Sequence, residues 1–302
     1  MKMMQLKFPN PEGGNDILWN GTEFIDKDKK FGVLSFPMPN LPGGWSDSLT
    51  DFHEEISDGR HPIDKASFQI AMENCFSFAY SGDNLKILEV GCSSGFMLRR
   101  LRKEYPSAEI CGADIIIETL KRLSRELNAE GIPTPILQFD LTTCPLPNDY
   151  LDLVVALNVL EHIKDHEKAI VEVVRILKPG GVFIFEVPAG PNLYDDHDRE
   201  SNHYRRYKAS ELEKLLTSKG FVKKRLSHLG VFIFPVFYII KKINSCFSKN
   251  NVRTNEPSSV SRKLVVGSSS FLFDFIFNVE LWLGKFISWP FGIRCMGVFC
   301  KL

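Results

Sequence analysis

Between residues 86 and 187 this 302-residue chain repeats one pattern: short, predominantly apolar runs separated by stretches of helix length. Lys86 to Val90, Ala108 to Ile115, Ile136 to Asp140, Leu151 to Leu157 and Val182 to Val187 read as strands. Between them, Phe96 to Tyr105 and Glu118 to Glu130 read as helices, and Ala169, Ile170, Val173, Val174 and Leu177 fall on one helical face. Lys178-Pro-Gly-Gly181 ends that last helix through a proline and paired glycines. Strands apolar on both faces can be buried only if helices cover both sides, and right-handed crossovers then wind the sheet in two directions. The expected fold is α/β, a Rossmann-like doubly wound, mainly parallel seven-stranded sheet, whose ligand crevice lies beyond the carboxyl ends of the strands.

The flanking regions differ in composition. Residues 1–61 are rich in Gly, Pro, Asn and Asp and read as an N-terminal extension, and residues 62–302 as the main domain. Ala66 to Tyr80 predicts a helix before the first strand. After Val187 come a polar, ring-rich segment and a helix from Ser210 to Lys219, with Ser210-Glu-Leu-Glu213 in capping-box form. Phe221 to Leu226 and Cys295 to Lys301 supply the last strands, around an apolar helical insertion at about 229–290. The run Leu229 to Ile240 falls short of the roughly 20 apolar residues that a spanning helix needs. These aromatic segments complete the core, make a homodimer contact, or form an apolar face for a membrane or a lipid-linked acceptor.

Lys plus Arg and Asp plus Glu both number 37, so nothing in the charge balance favours nucleic acid. Seven scattered cysteines with no Cys-x-x-Cys pair argue against structural zinc, and no metal is expected. The same cysteine usage, with no apolar leader over residues 1–20, predicts a reducing, cytoplasmic setting.

The chemistry gathers at the strand ends. The first strand runs into Glu89-Val-Gly91-Cys-Ser93-Ser-Gly95, where Gly91 permits a tight turn and small residues at 93 and 95 let backbone approach a ligand. Asp114 ends the second strand and can accept from ribose hydroxyls; Asp140 closes the third and can accept from an adenine amino group. Three acids at successive strand ends suit a nucleoside without phosphate, because a pyrophosphate would be repelled.

These residues resemble the class I S-adenosylmethionine-dependent methyltransferases. Ile87-Leu-Glu-Val-Gly-Cys-Ser-Ser-Gly95 is similar to their first motif, Gly-Ala-Asp114-Ile to the second, and Asp140-Leu with Leu146 to His162 to the third and fourth. Arg175 to Gly181 resembles the block before the fifth strand, and the likeness runs in order over about residues 85 to 226. Ser93 departs from the glycine commoner there.

The resemblance implies S-adenosyl-L-methionine as cofactor. Glu89, Gly91, Cys92, Ser93 and Gly95 would line its methionine part. Asp114 and Ile115 would lie at the ribose, Asp140 and Leu141 at the adenine, and Asn158 would close the pocket. The acceptor would be a small molecule, a glycan or a lipid-linked compound. His162 and His203 are the candidate general bases, needed if the acceptor is a hydroxyl or a protonated amine. The run Ser201 to Leu212 resembles a segment of methyltransferases from surface-polysaccharide pathways. Within it Tyr204, Arg205, Arg206 and Tyr207 are candidate acceptor contacts, or cover for the sheet. Two other classes remain: a non-catalytic S-adenosylmethionine-binding protein, and a serine hydrolase using Ser93, since Gly91 to Gly95 also fits G-x-S-x-G.

Overall fold

The computed structural model describes residues 6–38, 61–78, 84–248 and 271–302. Four short strands, β1 (Leu6–Phe8), β2 (Ile17–Trp19), β3 (Phe24–Asp26) and β4 (Lys29–Phe31), form a small antiparallel sheet, and β5 (Leu34–Ser35) follows. Helix α1 (Pro62–Phe78) leads into β6 (Lys86–Val90), α2 (Phe96–Glu104), β7 (Glu109–Asp114), α3 (Ile117–Ala129), β8 (Ile136–Gln138) and β9 (Leu151–Leu157). Then come α4 (His166–Ile176), β10 (Leu177–Pro188), the short α5 (Asp196–Glu200), α6 (Ala209–Ser218) and β11 (Phe221–Leu229). Helices α7 (Phe234–Ser248) and α8 (Phe271–Gly284) precede the last strand, β12 (Arg294–Lys301).

The main sheet has the order β11-β12-β10-β9-β6-β7-β8-β5. Strands β5 to β10 pair parallel, while β12 runs antiparallel to both β10 and β11. From β6 the chain winds outwards through β7 and β8, then returns to lay β9 on the other side of β6. The crevice therefore opens at the carboxyl ends of β6 and β9. The expected seven strands are joined by an eighth. Leu34 and Ser35 pair with Leu137 and Gln138, and the Phe36 amide donates to the Gln138 carbonyl at 2.9 Å. An open edge at β8 would leave its amides and carbonyls unpaired, and the N-terminal segment covers it.

Residue parity divides the core. Leu88 and Val90, Cys111 and Ala113, Val154 and Ala156, and Phe183, Phe185 and Val187 face one side, under Ala169, Ile170 and Val173 of α4 and Leu212 and Leu216 of α6. The N-terminal sheet fills the rest of that side with Phe8, Ile17, Trp19 and Phe24, so residues 6–36 share the main core. Ile87, Ile110, Leu153, Val155 and Ile184 face the other side, against α1, α2 and α3. Glu89, Asp114, Glu186 and Arg294 continue the parity of this second side, which sets four charged side chains on one face at the crevice end.

One local expectation is corrected. Helix α6 starts at Ala209 with Lys208 as its cap residue, and no side chain caps it, so Ser210 lies inside the first turn. The reason is tertiary: Tyr207 is held to the edge of the sheet through Pro188 and Gly190, and the chain turns into the helix at once. A capping box does form at α5, where the backbone amides of Asp195 and Asp198 each donate to the other's carboxylate. The apolar insertion packs Phe277 and Leu281 of α8 on Ile63 and Ala66 of α1. Among the described residues no helix is long and apolar enough to cross a membrane.

Candidate active site

The loop after β6 is bound to the end of β7. The Gly91 and Cys92 amides both donate to the Ala113 carbonyl, at 2.8 and 3.1 Å. Gly91 (φ +73°) requires a left-handed backbone, and a Cβ there would lie 2.5 Å from Val159 Cγ2. Ser93 adopts φ 40° without being a glycine, which accounts for the glycine commoner at its position. Its amide donates to Asp114 Oδ2 at 3.1 Å, so loop and carboxylate position each other. Asp114 Oδ1 also accepts from the Ile115 amide at 2.6 Å. Burial raises the Asp114 carboxyl above its ordinary value against the pull of these backbone donors.

Glu89 lies one strand away, buried, and its Oε2 has no hydrogen-bond partner. Desolvation, and then the charge of Asp114, push its carboxyl well above the usual range. Beyond β8, Asp140 caps a 3-10 turn at Leu141–Thr143, accepting from the Thr142 amide at 2.8 Å. Leu141 is buried in the core, while Ile115 stays half-exposed and its carbonyl accepts from Gln138 Nε2 at 2.9 Å. Cys92 turns its side chain inward, with Sγ packed beneath Gly112, so only its backbone faces the loop. Gly95 (φ +76°) packs against Leu123 and opens α2.

Asn158, at φ 54°, follows β9. Its amide donates to the Glu186 carbonyl at 2.8 Å and its Nδ2 to Glu186 Oε1 at 3.1 Å. Glu186 is buried and paired with Arg294 at 3.0 Å, and Arg294 reaches Asp64 of α1 at 2.7 Å and Ser67 Oγ at 3.0 Å. Burial pulls the Arg294 guanidinium down, but the charges of Asp64 and Glu186 outweigh it and hold the group above its ordinary value. Sequence reasoning missed this Asp64–Arg294–Glu186 chain. The available signal was a glutamate inside the apolar run Val182 to Val187.

The two candidate bases come together. His162 ends the 3-10 turn Leu160–His162, and its ring meets that of His203 edge to face at 4.7 Å. His203 Nδ1 lies 2.9 Å from Asp198 Oδ1. Burial raises the Asp198 carboxyl, but hydrogen bonds from His203 and Arg206 and the charge of Lys241 hold it well below the usual range. Glu161, beside His162, is fully buried. Desolvation, opposed by its own backbone N–H and reinforced by Glu186, pushes its carboxyl up to about 8.

The four candidate acceptor contacts separate. Arg206 is buried and donates to both Asp198 oxygens at 2.8 Å, and Tyr207 is buried with its hydroxyl donating to the Leu160 carbonyl at 3.0 Å. Arg205 donates to the carbonyls of Ile163 and Lys164 at 2.6 and 2.7 Å, clamping this segment to the turn that carries His162. Tyr204 alone of the four is exposed. These arginines are committed to internal partners, which leaves the segment shaping the site rather than offering cations to an acceptor.

Residues 88–185 match a family profile described as a methyltransferase domain. A probable S-adenosylmethionine-dependent methyltransferase of Mycolicibacterium smegmatis is 30% identical over 157 residues, 48% of this chain and 54% of that protein. A demethylmenaquinone methyltransferase of Thermus thermophilus is 31% identical over 107 residues, 35% of this chain and 49% of that one. The chain thus spans about half the length of these curated relatives. A putative sarcosine dimethylglycine methyltransferase from Galdieria sulphuraria superposes with a TM-score of 0.59 at 14% identity, covering 84% of this chain and 98% of that one. Phosphoethanolamine N-methyltransferase 2 of Haemonchus contortus, solved with S-adenosyl-L-methionine, gives 0.54 at 14% identity, covering 87% of this chain and 61% of that one. At such identities the two structures speak to the fold alone. The matched methyltransferase domain, the sequence motifs of the segment that carries it and the strand order of the sheet agree with one another.

Proposed function

We propose that this chain transfers a methyl group from S-adenosyl-L-methionine to a small-molecule, glycan or lipid-linked acceptor. One observation carries the reading: Glu89 and Asp114 at adjoining strand ends, followed by Asp140, with Glu89 Oε2 buried and lacking a donor. A buried acceptor without a donor is costly, and an ammonium group would satisfy it. The methionine amino group and the ribose hydroxyls of the cofactor are donors of that kind.

In this reading Gly91, Ser93 and Gly95, with the Cys92 backbone, line the methionine part. Asp114 and Ile115 lie at the ribose, Asp140 and Leu141 at the adenine, and Asn158 closes the pocket. When bound, the cofactor supplies the methyl group on a sulfonium that leaves uncharged. The protein has to align the acceptor and exclude water. A proton on a hydroxyl acceptor would leave at the end of the cleft formed by Glu161, His162 and His203.

An apolar acceptor portion is favoured by a specific observation. Phe232, Val236, Ile239, Phe275, Trp282 and Phe286 are all exposed, and all lie between β11 and β12. So much apolar surface in one insertion suits a lipid-linked compound or a membrane face. One relative is named for a quinone acceptor, demethylmenaquinone.

Calorimetric titration with S-adenosylmethionine, S-adenosylhomocysteine and NAD tests the cofactor class; binding of the first two and not the third is expected. Binding of NAD alone would overturn the reading. Flotation with anionic liposomes at low salt tests the apolar face, and protein left entirely at the bottom of the gradient would dispose of it.

A further inference from the structure

Glu161, His162 and His203 each offer one ligand atom, and these atoms lie within 4.8 Å of one another. Glu161 is 0% exposed, and no other residue donates a hydrogen bond to either of its carboxylate oxygens. The contrast with Asp198 is informative. Asp198 is equally buried, yet Arg206, His203 and Lys241 all lie within hydrogen-bond distance of it. Arg206 and Arg294 act on Glu161 only through space. A buried carboxylate with two bare oxygens and two imidazoles facing it has the donor set of a cation site.

The surroundings fix the ligands. His203 Nδ1–H donates to Asp198 Oδ1 at 2.9 Å, which leaves Nε2 with its lone pair. Asp198 is itself immobilised by Arg206 Nε at 2.8 Å and Lys241 Nζ at 3.3 Å. A carboxylate behind a ligating histidine, itself hydrogen-bonded, is the usual support of a metal ligand. His162 is carried on the same 3-10 turn as Glu161, and Arg205 clamps the segment bearing His203 to the carbonyls just beyond that turn. Ligand distances of about 2.0–2.2 Å place tetrahedral ligand atoms about 3.4 Å apart, so the three draw together from separations of up to 4.8 Å when they close on an ion.

We propose that Glu161, His162 and His203 bind one divalent first-row transition ion through a carboxylate oxygen and two imidazole nitrogens, with positions left open for an oxygen donor. Mixed imidazole and carboxylate ligands suit zinc, manganese, cobalt or iron(II) rather than calcium or magnesium. The ion's binding does not depend on methyl transfer. Its consequence does rest on the proposed activity: an acceptor hydroxyl coordinated there would lose its proton to solvent water more readily, and the resulting alkoxide oxygen would take the methyl group as the carbon–sulfur bond of the sulfonium breaks.

The test uses the full chain, stripped with EDTA and then freed of chelator. Cobalt(II), zinc(II) and manganese(II) are titrated in separately by calorimetry, with bound metal measured after gel filtration and the visible spectrum recorded for cobalt. One saturable ion per chain is expected, with a cobalt absorption band and a rise in Tm on loading. Glu161→Gln keeps the shape of a side chain to which no other residue donates a hydrogen bond, so it should fold, and affinity should fall at least about 10-fold. His203→Ala should lose both affinity and the cobalt band. Titration of all three ions without saturable binding to the wild-type chain would overturn the site. Equal binding by wild type, Glu161→Gln and His203→Ala would do the same. S-adenosylmethionine binding, measured on the same samples, separates this outcome from failure of the proposed activity.

Discussion

Replacing Asp114 with alanine removes the group expected to grip the ribose, and the structure sets the size of the effect. Hydrogen bonds to a charged acceptor contribute about 1.5–3 kcal/mol, so S-adenosylmethionine affinity should fall by about 10- to 150-fold. The substitution also releases the Ser93 amide from Asp114 Oδ2, which loosens the loop proposed to line the methionine part. Folding should be far less affected. The Asp114 carboxyl is raised, so the folded state disfavours its charge relative to the unfolded chain. That unfavourable contribution is absent below the unfolded-state value and grows as pH rises through the raised folded one. Removing the carboxylate takes away this penalty together with the backbone bonds, and the two changes oppose each other. Titration calorimetry at neutral pH, with urea denaturation on the same samples, reads both quantities. Asp114→Asn keeps one acceptor oxygen and should lose less affinity than the alanine variant. Wild-type affinity in both variants, with the fold intact, would refute the assignment of Asp114 to the cofactor.

Three further outcomes follow from the same geometry. Arg294→Met leaves buried Glu186 and Asp64 without their shared cation and should cost about 3 kcal/mol in urea denaturation, with part recovered in Glu186→Gln/Arg294→Met; no loss in the single variant would show that the pair contributes nothing. Gly91→Ala forces an L-residue to φ +73° and sets a Cβ 2.5 Å from Val159 Cγ2, so it should destabilise by about 1–3 kcal/mol. Adding Val159→Ala should relieve the clash but not the backbone strain, and complete recovery would place the whole cost in the clash. Glu89 carries its proton to unusually high pH, and a cofactor ammonium beside it favours the charged form, so binding should release a proton and affinity should rise with pH across that window. Calorimetry in buffers of different ionisation enthalpy counts the proton, which should vanish in Glu89→Gln; the same count in that variant would assign it elsewhere.

The sequence by itself determined the fold class and which carboxylates stand at the strand ends. Both follow from local patterns: apolar runs of strand length, helical spacing between them, and small residues and carboxylates at each strand end. Glu89, Asp114 and Asp140 were legible as strand-end carboxylates because each lies at or beside the end of an apolar run of strand length. Tertiary structure alone decided the rest. Nothing local to Leu34 and Ser35 says that they close the edge of a sheet against Leu137 and Gln138. Nor does local pattern join Arg294 to Asp64, on an element more than two hundred positions earlier. The same holds for the second cluster. Arg206 and Tyr207 look like acceptor contacts in a polar, ring-rich segment, but burial commits them to Asp198 and the Leu160 carbonyl. Glu161 and His162 meet His203 only because the chain after β10 folds back over the end of β9. Long-range burial selects such partners, and a linear sequence records each partner without recording the pair.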